Sequence, residues 1–205
     1  MKSYLITLVL LLLSTFVCGQ ESKGVIYISS EETINNSDIL RLLNFERIDF
    51  LKLSFKGRDL ANKSYHITVK EIWDGVVKSE SDIINSAKSP LKEYKYVNDS
   101  VLSIDIIAKP MMNNKIKMSF KFPGVIIEKK FDGINSDNYS LRNLSDNELF
   151  KAIVGEKFYL LAYILPYEKN GVLSWCAVEN SGGNVLNWGK EFGIKHYLVF
   201  EMKFE

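Results

Sequence analysis

The sequence is poor in the residues that most often carry chemistry or covalent cross-links. Its 205 residues include two cysteines, two histidines and four prolines. Cys18 lies in an apolar N-terminal segment, which leaves Cys176 as the only thiol of the remaining chain and excludes a disulfide within it. Two scattered histidines are a poor start for a zinc site, because such a site needs three or four His, Cys or carboxylate ligands. We therefore expect no bound metal, no cofactor and a fold stabilised by its apolar core.

The chain also lacks an excess of charge of either sign. It has 26 basic and 25 acidic side chains, and the two signs balance once Lys2 is removed with the N-terminal segment. This balance excludes a nucleic-acid-binding protein that works through bulk positive charge, because phosphate affinity needs clustered basic residues. Wholesale disorder is excluded as well, since 46% of the residues are hydrophobic and can build a core.

One long apolar run is present, and it lies at the N-terminus. Residues 1–19 have the pattern of an export signal, with Lys2 before the apolar residues 4–17 and a small residue at the end. The run is about 14 residues long, whereas a transmembrane helix needs about 20. We therefore expect residues 1–19 to be cleaved, and residues 20–205 to form a single domain without a transmembrane span.

The expected destination of the mature protein is outside the cytoplasm. It would be secreted, or held in the periplasm or the cell envelope. An alternative is a lipid anchor on Cys18, attached after cleavage by a lipoprotein peptidase. Val17 disfavours this route, because the peptidase takes a small residue immediately before the lipidated cysteine.

Apolar and polar residues alternate along several segments, which is the pattern of a β-strand with one buried face. Residues 115–122 are the clearest case, because every second residue from Ile116 onward is apolar and the others are lysine or serine. A helix would scatter these apolar side chains around its circumference. The same period occurs in residues 51–55, 102–108 and 196–205.

Two dipeptides predict tight hairpin turns. Asp74-Gly75 and Asn170-Gly171 each stand between two strand-like segments, and both tolerate positive φ at adjacent positions, as type I′ turns require. The segment before the second turn, residues 158–165, is apolar at nearly every position. This predicts a central strand that is covered on both faces.

Two short helices are expected between the strands. Residues 145–148 form a capping box, and Ser37 is placed to cap a second helix over residues 38–43. Nothing in the sequence divides the chain into two domains. The sequence therefore predicts a mainly β fold, an antiparallel β-sandwich of about eight or more strands with one or two short helices.

Few residues are suited to catalysis. A thiol nucleophile would need Cys176 beside His66 or His196, but a lone cysteine in a strand usually behaves as a small buried hydrophobe. A carboxylate pair such as Glu71 with Asp74 is weak evidence, because any chain with 25 acids offers such pairs. We therefore expect a non-enzymatic protein. The alternative is a secreted hydrolase that uses a carboxylate pair, or Cys176 with a histidine.

Loop tryptophans and asparagines are the candidate ligand-binding residues. Trp73 borders the first predicted turn, and Trp188 lies with Asn184 and Asn187 in the polar, glycine-rich residues 180–193. Sugar-binding β-sandwiches stack such aromatic faces on sugar rings, and the amides would bond to hydroxyls. The alternative is that each indole caps the end of the core and donates its N–H to a loop carbonyl.

The expected function is that of a binding or surface-assembly module with a glycan or protein ligand. The chain resembles the small exported β-sandwich proteins of Gram-negative bacteria, through its leader and its hairpins, and this resemblance supplies no site residues. A further possibility is a structural partner that adds residues 196–205 to another sheet as an edge strand.

The sequence also contains five N-glycosylation sequons, which would carry glycans only in a eukaryotic host. They begin at Asn35, Asn62, Asn98, Asn138 and Asn143.

Overall fold

A computed structural model describes residues 24–31, 34–145, 151–175 and 184–205. These residues are mainly β, with 54% in strands and 16% in helical conformation. The predicted export signal with Cys18, the thiol Cys176 and most of the capping box lie outside the described residues.

The described residues form thirteen strands and two short α-helices. The strands are β1 (Val25–Glu31), β2 (Asp49–Lys56), β3 (Tyr65–Trp73), β4 (Val76–Asn85), β5 (Val101–Met111), β6 (Lys115–Phe122), β7 (Val125–Asp132), β8 (Ser140–Asn143), β9 (Lys151–Ile153), β10 (Phe158–Ile164), β11 (Tyr167–Lys169), β12 (Val172–Ser174) and β13 (His196–Phe204). The helices are α1 (Ser37–Phe45) and α2 (Trp188–Phe192).

The strands form two sheets and a separate hairpin. Sheet 1 has six strands in the order β7-β6-β5-β2-β1-β9, and sheet 2 has five in the order β4-β3-β13-β10-β8. The third unit is the β11–β12 hairpin. Every pairing within these units is antiparallel. The predicted antiparallel β-sandwich is therefore confirmed.

Both predicted hairpin turns are present. Asp74 and Gly75 join β3 to β4 with φ angles of 48° and 73°, and Asn170 and Gly171 join β11 to β12 with 54° and 77°. Positive φ at both central positions matches the right-handed twist of the flanking strands. Local backbone preference alone was sufficient to place these two turns.

The further possibility that residues 196–205 form an exposed edge strand is contradicted by the sheet order. β13 lies in the middle of sheet 2, paired with β3 on one side and with β10 on the other. Its N–H and C=O groups therefore have strand neighbours on both sides, and they cannot add to another sheet. The strand β10, which was predicted to be central, also has neighbours on both sides.

The main core lies between the two sheets. Aromatic rings meet across it: Phe120 of sheet 1 lies 5.4 Å from Phe200 of sheet 2, and Phe55 lies 5.4 Å from Phe204. All four side chains are buried. Edge-to-face and tilted pairs of this kind add to the free energy gained by removing apolar area from water.

Sheet 2 also has a second apolar layer on its outer face. Tyr197 and Val199 of β13 point to this face and are buried beneath Trp188 and Ile194. The one charged side chain that β13 buries, Glu201, is paired with Lys70 on β3 at 2.6 Å. β13 is thus covered on both faces, although the alternation of its residues predicted that one face would be exposed to solvent.

The outer face of sheet 1 carries lysines and acids that pair with one another, together with exposed apolar side chains such as Tyr27, Ile107 and Ile126. Lys117 lies 2.9 Å from Glu128 on the neighbouring strand, and Lys121 lies 3.4 Å from Asp105. Exposed ion pairs of this type contribute little to stability, but they leave few charges free for a ligand.

One end of the sandwich, called the α1 end, carries α1, the β3–β4 turn, the β5–β6 turn and residues 133–139. Two exposed ion pairs follow α1, Glu46 with Lys109 at 3.4 Å and Arg47 with Asp137 at 2.5 Å. Asn36, rather than the expected Ser37, caps the helix, because its Oδ1 accepts the N–H groups of Asp38 and Ile39.

Candidate functional site

The side chain of Trp73, next to the β3–β4 turn, is not freely exposed to solvent. Its indole Nε1 donates a hydrogen bond to Oε1 of Glu71 at 2.6 Å, and its ring lies 4.2 Å from the ring of His196. The side chain is half-buried. A carboxylate rather than the expected loop carbonyl accepts the indole hydrogen, and one face of the ring is already covered.

His196 is the centre of this cluster, which also contains Glu71, Trp73 and Tyr139. The register of β3 and β13 places His196 directly opposite Trp73. Its Nδ1 lies 2.6 Å from the hydroxyl of Tyr139, which in turn accepts the backbone N–H of Ile134 at 3.0 Å. The Tyr139 hydroxyl and Nδ1 share one hydrogen bond, and the imidazole tautomer decides which of the two donates.

The environment of His196 keeps the imidazole neutral. Burial lowers its pKa from 6.5 to about 4, and the negative charge of Asp132 opposes this only in part. Nε2 has no hydrogen-bond partner among the described residues, and it lies 4.0 Å from Oε1 of Glu71. Burial likewise raises the pKa of Tyr139 to about 12. These groups close the α1 end of the core, and the buried imidazole offers no path to a substrate.

Trp188 lies on the outer face of sheet 2, and Asn184 and Asn187 shortly precede it in the chain. The helix α2, which begins at Trp188, contacts the β3–β4 turn next to Trp73. The backbone of Gly189 touches Gly75 so closely that a Cβ atom on it would lie 2.3 Å from the Gly75 nitrogen. The Trp188 ring, however, is 2% exposed and packs 6.0 Å from the ring of Tyr197. The four predicted ligand-binding residues therefore do not form one surface.

A glycan site at these residues stays a prediction, and among the two indoles only Trp73 retains partial access to solvent. Asn184 and Asn187 lie on the turn that leads into α2, and their side chains do not cap that helix. Any sugar contact at this end would therefore depend on Trp73 with neighbours other than Trp188.

The most exposed apolar surface of the α1 end was not anticipated from the sequence. On α1, Ile39 is 44% exposed, Leu42 is 59% exposed and Phe45 is 80% exposed. The spacing of three residues places these side chains along one side of the helix. These three side chains are called the α1 stripe, and the charged residues Asp38 and Arg41 lie at its border. The sequence shows the three-residue spacing, but it does not show that these side chains are exposed.

The groups needed for the alternative, enzymatic function do not converge in the described residues. Glu71 is bonded to Trp73, and its expected partner Asp74 is an exposed turn residue. His66 is paired with Asp82 on the neighbouring strand at 2.7 Å. The described residues contain no cluster of three or more His, Cys, Asp or Glu side chains placed to hold a metal ion. Within the same ranges, no helix has the length and hydrophobicity to cross a membrane.

The comparisons with known proteins add no family to this picture. No protein-family model matches the chain, and no curated protein or solved structure matches it significantly.

Proposed function

We propose that the protein is a non-enzymatic binding module that docks a protein partner through the α1 stripe. The observation that carries the proposal is the exposure of three large apolar side chains, Ile39, Leu42 and Phe45, on a helix of nine residues. Contiguous exposed apolar side chains on a folded domain are typical of interaction sites. An amphipathic helix that presents such side chains to an apolar groove is a recurrent form of protein recognition.

The chemistry of the stripe favours a protein over a glycan or a membrane. Its three side chains have no hydrogen-bonding group, so they offer nothing to sugar hydroxyls. A helix that lies on an anionic membrane usually carries several lysines or arginines, and α1 contains only Arg41. An apolar protein groove would cover all three side chains without leaving a polar group unpaired.

The α1 helix is held in position before any partner binds. Asn36 caps its first turn, and exposed ion pairs join Glu46 and Arg47, directly after its last turn, to Lys109 and Asp137. Leu40, which is 38% exposed, and the half-buried Leu43 help to line a cavity of about 180 Å³ beside the start of β2. A preorganised helix loses little conformational entropy on binding, which favours affinity.

We expect a photo-crosslinking amino acid at position 45 to give a discrete crosslinked species in the cells that produce the protein. The same amino acid at position 126 is the matched control, because Ile126 is also an exposed apolar residue but lies on β7, away from α1. In the position-45 protein, Leu42→Ser should weaken crosslinking at least about tenfold, because loss of a hot-spot side chain costs about 2 kcal/mol or more. Equal crosslinking at both positions, or insensitivity to Leu42→Ser, would contradict the proposal.

The proposed contact takes place outside the cytoplasm. The support is the apolar pattern of residues 1–19, which is that of a cleaved export signal. We expect mass spectrometry of the protein from its producing cells to give a mature chain that starts at Gln20. A lipid-modified chain that starts at Cys18 would support the alternative of a membrane anchor. A chain that retains residues 1–19 would contradict export by this signal.

A further inference from the structure

The end of the sandwich opposite α1, called the Tyr96 end, contains a small cavity. It has a volume of about 120 Å³ and lies between residues 93–99 and the adjoining ends of β3, β5 and β6. Tyr94 and Tyr96 line it together with the carboxylic acids Glu93 and Asp99. Apart from one asparagine, its other lining residues are a third tyrosine and apolar side chains.

The wall that carries Tyr96 is fixed on both sides of that residue. The hydroxyl of Ser86, which is buried, donates to the Lys95 carbonyl at 2.8 Å. Val97 donates its N–H to the Lys63 carbonyl at 2.9 Å, and its own carbonyl accepts the Asn62 N–H at 2.8 Å. Tyr96 is therefore held by the backbone on either side, while its side chain stays 50% exposed.

Tyr94 is held by a close contact with the β6–β7 turn. A Cβ atom on Gly124 would lie 2.3 Å from a ring carbon of Tyr94, and the φ of Gly124 is +81°. Only glycine meets both conditions, so the turn and the ring are matched in shape. The second tyrosine of the cavity is thus also in place without a ligand.

The charges of the cavity have one sign. Glu93 and Asp99 line it, and none of its described lining residues is basic. Asp99 uses Oδ1 to accept the N–H of Ser100 at 2.6 Å, which fixes the orientation of its carboxylate. A cavity with two carboxylates and aromatic walls attracts a positive charge, both by Coulomb attraction and by cation–π interaction.

We propose that this cavity binds a small organic cation of the quaternary-ammonium type. Its volume of about 120 Å³ is below the range of about 300 to 1,000 Å³ that holds whole drug-sized ligands, so it suits one head group. An alkylated ammonium places its methyl groups against Tyr94 and Tyr96 and its charge near Glu93. A neutral sugar gains no such electrostatic attraction. This site is distinct from the α1 stripe and does not depend on the function proposed for it.

Titration of the purified protein with choline tests the proposal, with 3,3-dimethylbutanol as the neutral compound of the same shape. We expect saturable chemical-shift changes of the cavity tyrosines with choline and at least about tenfold weaker binding of the alcohol, because the cation–π and carboxylate attractions are lost. Tyr96→Phe should retain binding, since the aromatic face remains. Tyr96→Leu and Glu93→Gln should each weaken it several-fold.

Tyr27→Leu is the matched control, because Tyr27 is an equally exposed tyrosine on sheet 1 and should leave choline binding unchanged. Circular dichroism of each variant verifies the fold. Equal binding of choline and the neutral alcohol would overturn the proposal, as would the absence of saturable binding to the folded wild-type protein.

Discussion

Replacing Phe200 by alanine is expected to lower the free energy of unfolding by about 3 to 5 kcal/mol. The side chain is fully buried in the middle of β13, and its ring meets Phe120 at 5.4 Å and Phe131 at 6.3 Å. Alanine removes these contacts and leaves a cavity that the central strands of both sheets cannot close. Since a domain of this size has only about 5 to 15 kcal/mol of stability, the loss is a large fraction of it.

Chemical denaturation followed by tryptophan fluorescence measures this effect. The matched control is Phe45→Ala, which removes the same atoms from a side chain that is 80% exposed. It should change stability by no more than about 0.5 kcal/mol, as surface substitutions usually do. Similar losses for both variants would contradict the packing described for β13 or the exposure of the α1 stripe.

Acidification is expected to destabilise the protein through His196 before most carboxylates titrate. Burial lowers the pKa of this histidine to about 4 in the folded protein, whereas in the unfolded chain it is near 6.5. Between these values the unfolded chain binds a proton that the folded protein does not. The stability contributed by the neutral imidazole is therefore complete above pH 6.5 and falls by about 3 kcal/mol as the pH drops to about 4.

The groups that face His196 determine how much stability the protein loses when the imidazole is protonated. Tyr139 is the hydrogen-bond partner of Nδ1, and a protonated imidazole would have to donate to its oxygen, which already accepts the Ile134 N–H. The charge of Asp132 favours the protonated form, but burial outweighs it. Oε1 of Glu71 lies 4.0 Å from Nε2 and already accepts the indole N–H of Trp73, whose ring lies 4.2 Å from the imidazole.

The measurement is the free energy of unfolding of the wild type and of His196→Gln between pH 8 and 4. The variant should lose the part of the pH dependence that lies above pH 4. His66→Gln is the control, since His66 is partly exposed in an ion pair with Asp82 and its loss should leave most of the dependence intact. If His196→Gln does not fold, the ring protons of wild-type His196 decide the question: titration near pH 6.5 would contradict its burial.

The sequence was sufficient for the fold class because strand and turn signals are local. Asp74-Gly75 placed a hairpin through backbone preference, and residues 115–122 showed their buried face by period alone. β7 was missed, since Ile126 points to solvent and Lys129 to the interior side, so hydropathy shows no alternation. The burial of the outer face of β13 was missed because Trp188, which covers it, lies on a separate element.

The functional surfaces were less predictable for the same reason. An indole in a polar, glycine-rich segment indicated exposure for Trp188, but tertiary contacts bury it. A capped helix was expected near residue 38, yet only the folded structure shows that nothing described covers Phe45. The Glu71, Tyr139 and His196 cluster joins residues from three distant parts of the chain, and no sequence motif links them.

The position of β13 also has a consequence for how the chain folds. Sheet 1 builds β5, β6 and β7 from successive hairpins, so these strands can pair as soon as they are made. In sheet 2, β3 pairs locally with β4, but its other edge pairs with β13, whose Glu201 bonds Lys70 across 131 residues. Non-local pairing of this kind slows folding. Until β13 pairs with them, β3 and β10 have no strand between them, and each keeps an unpaired edge. We expect this incomplete sheet to be the folding stage that is most prone to aggregation.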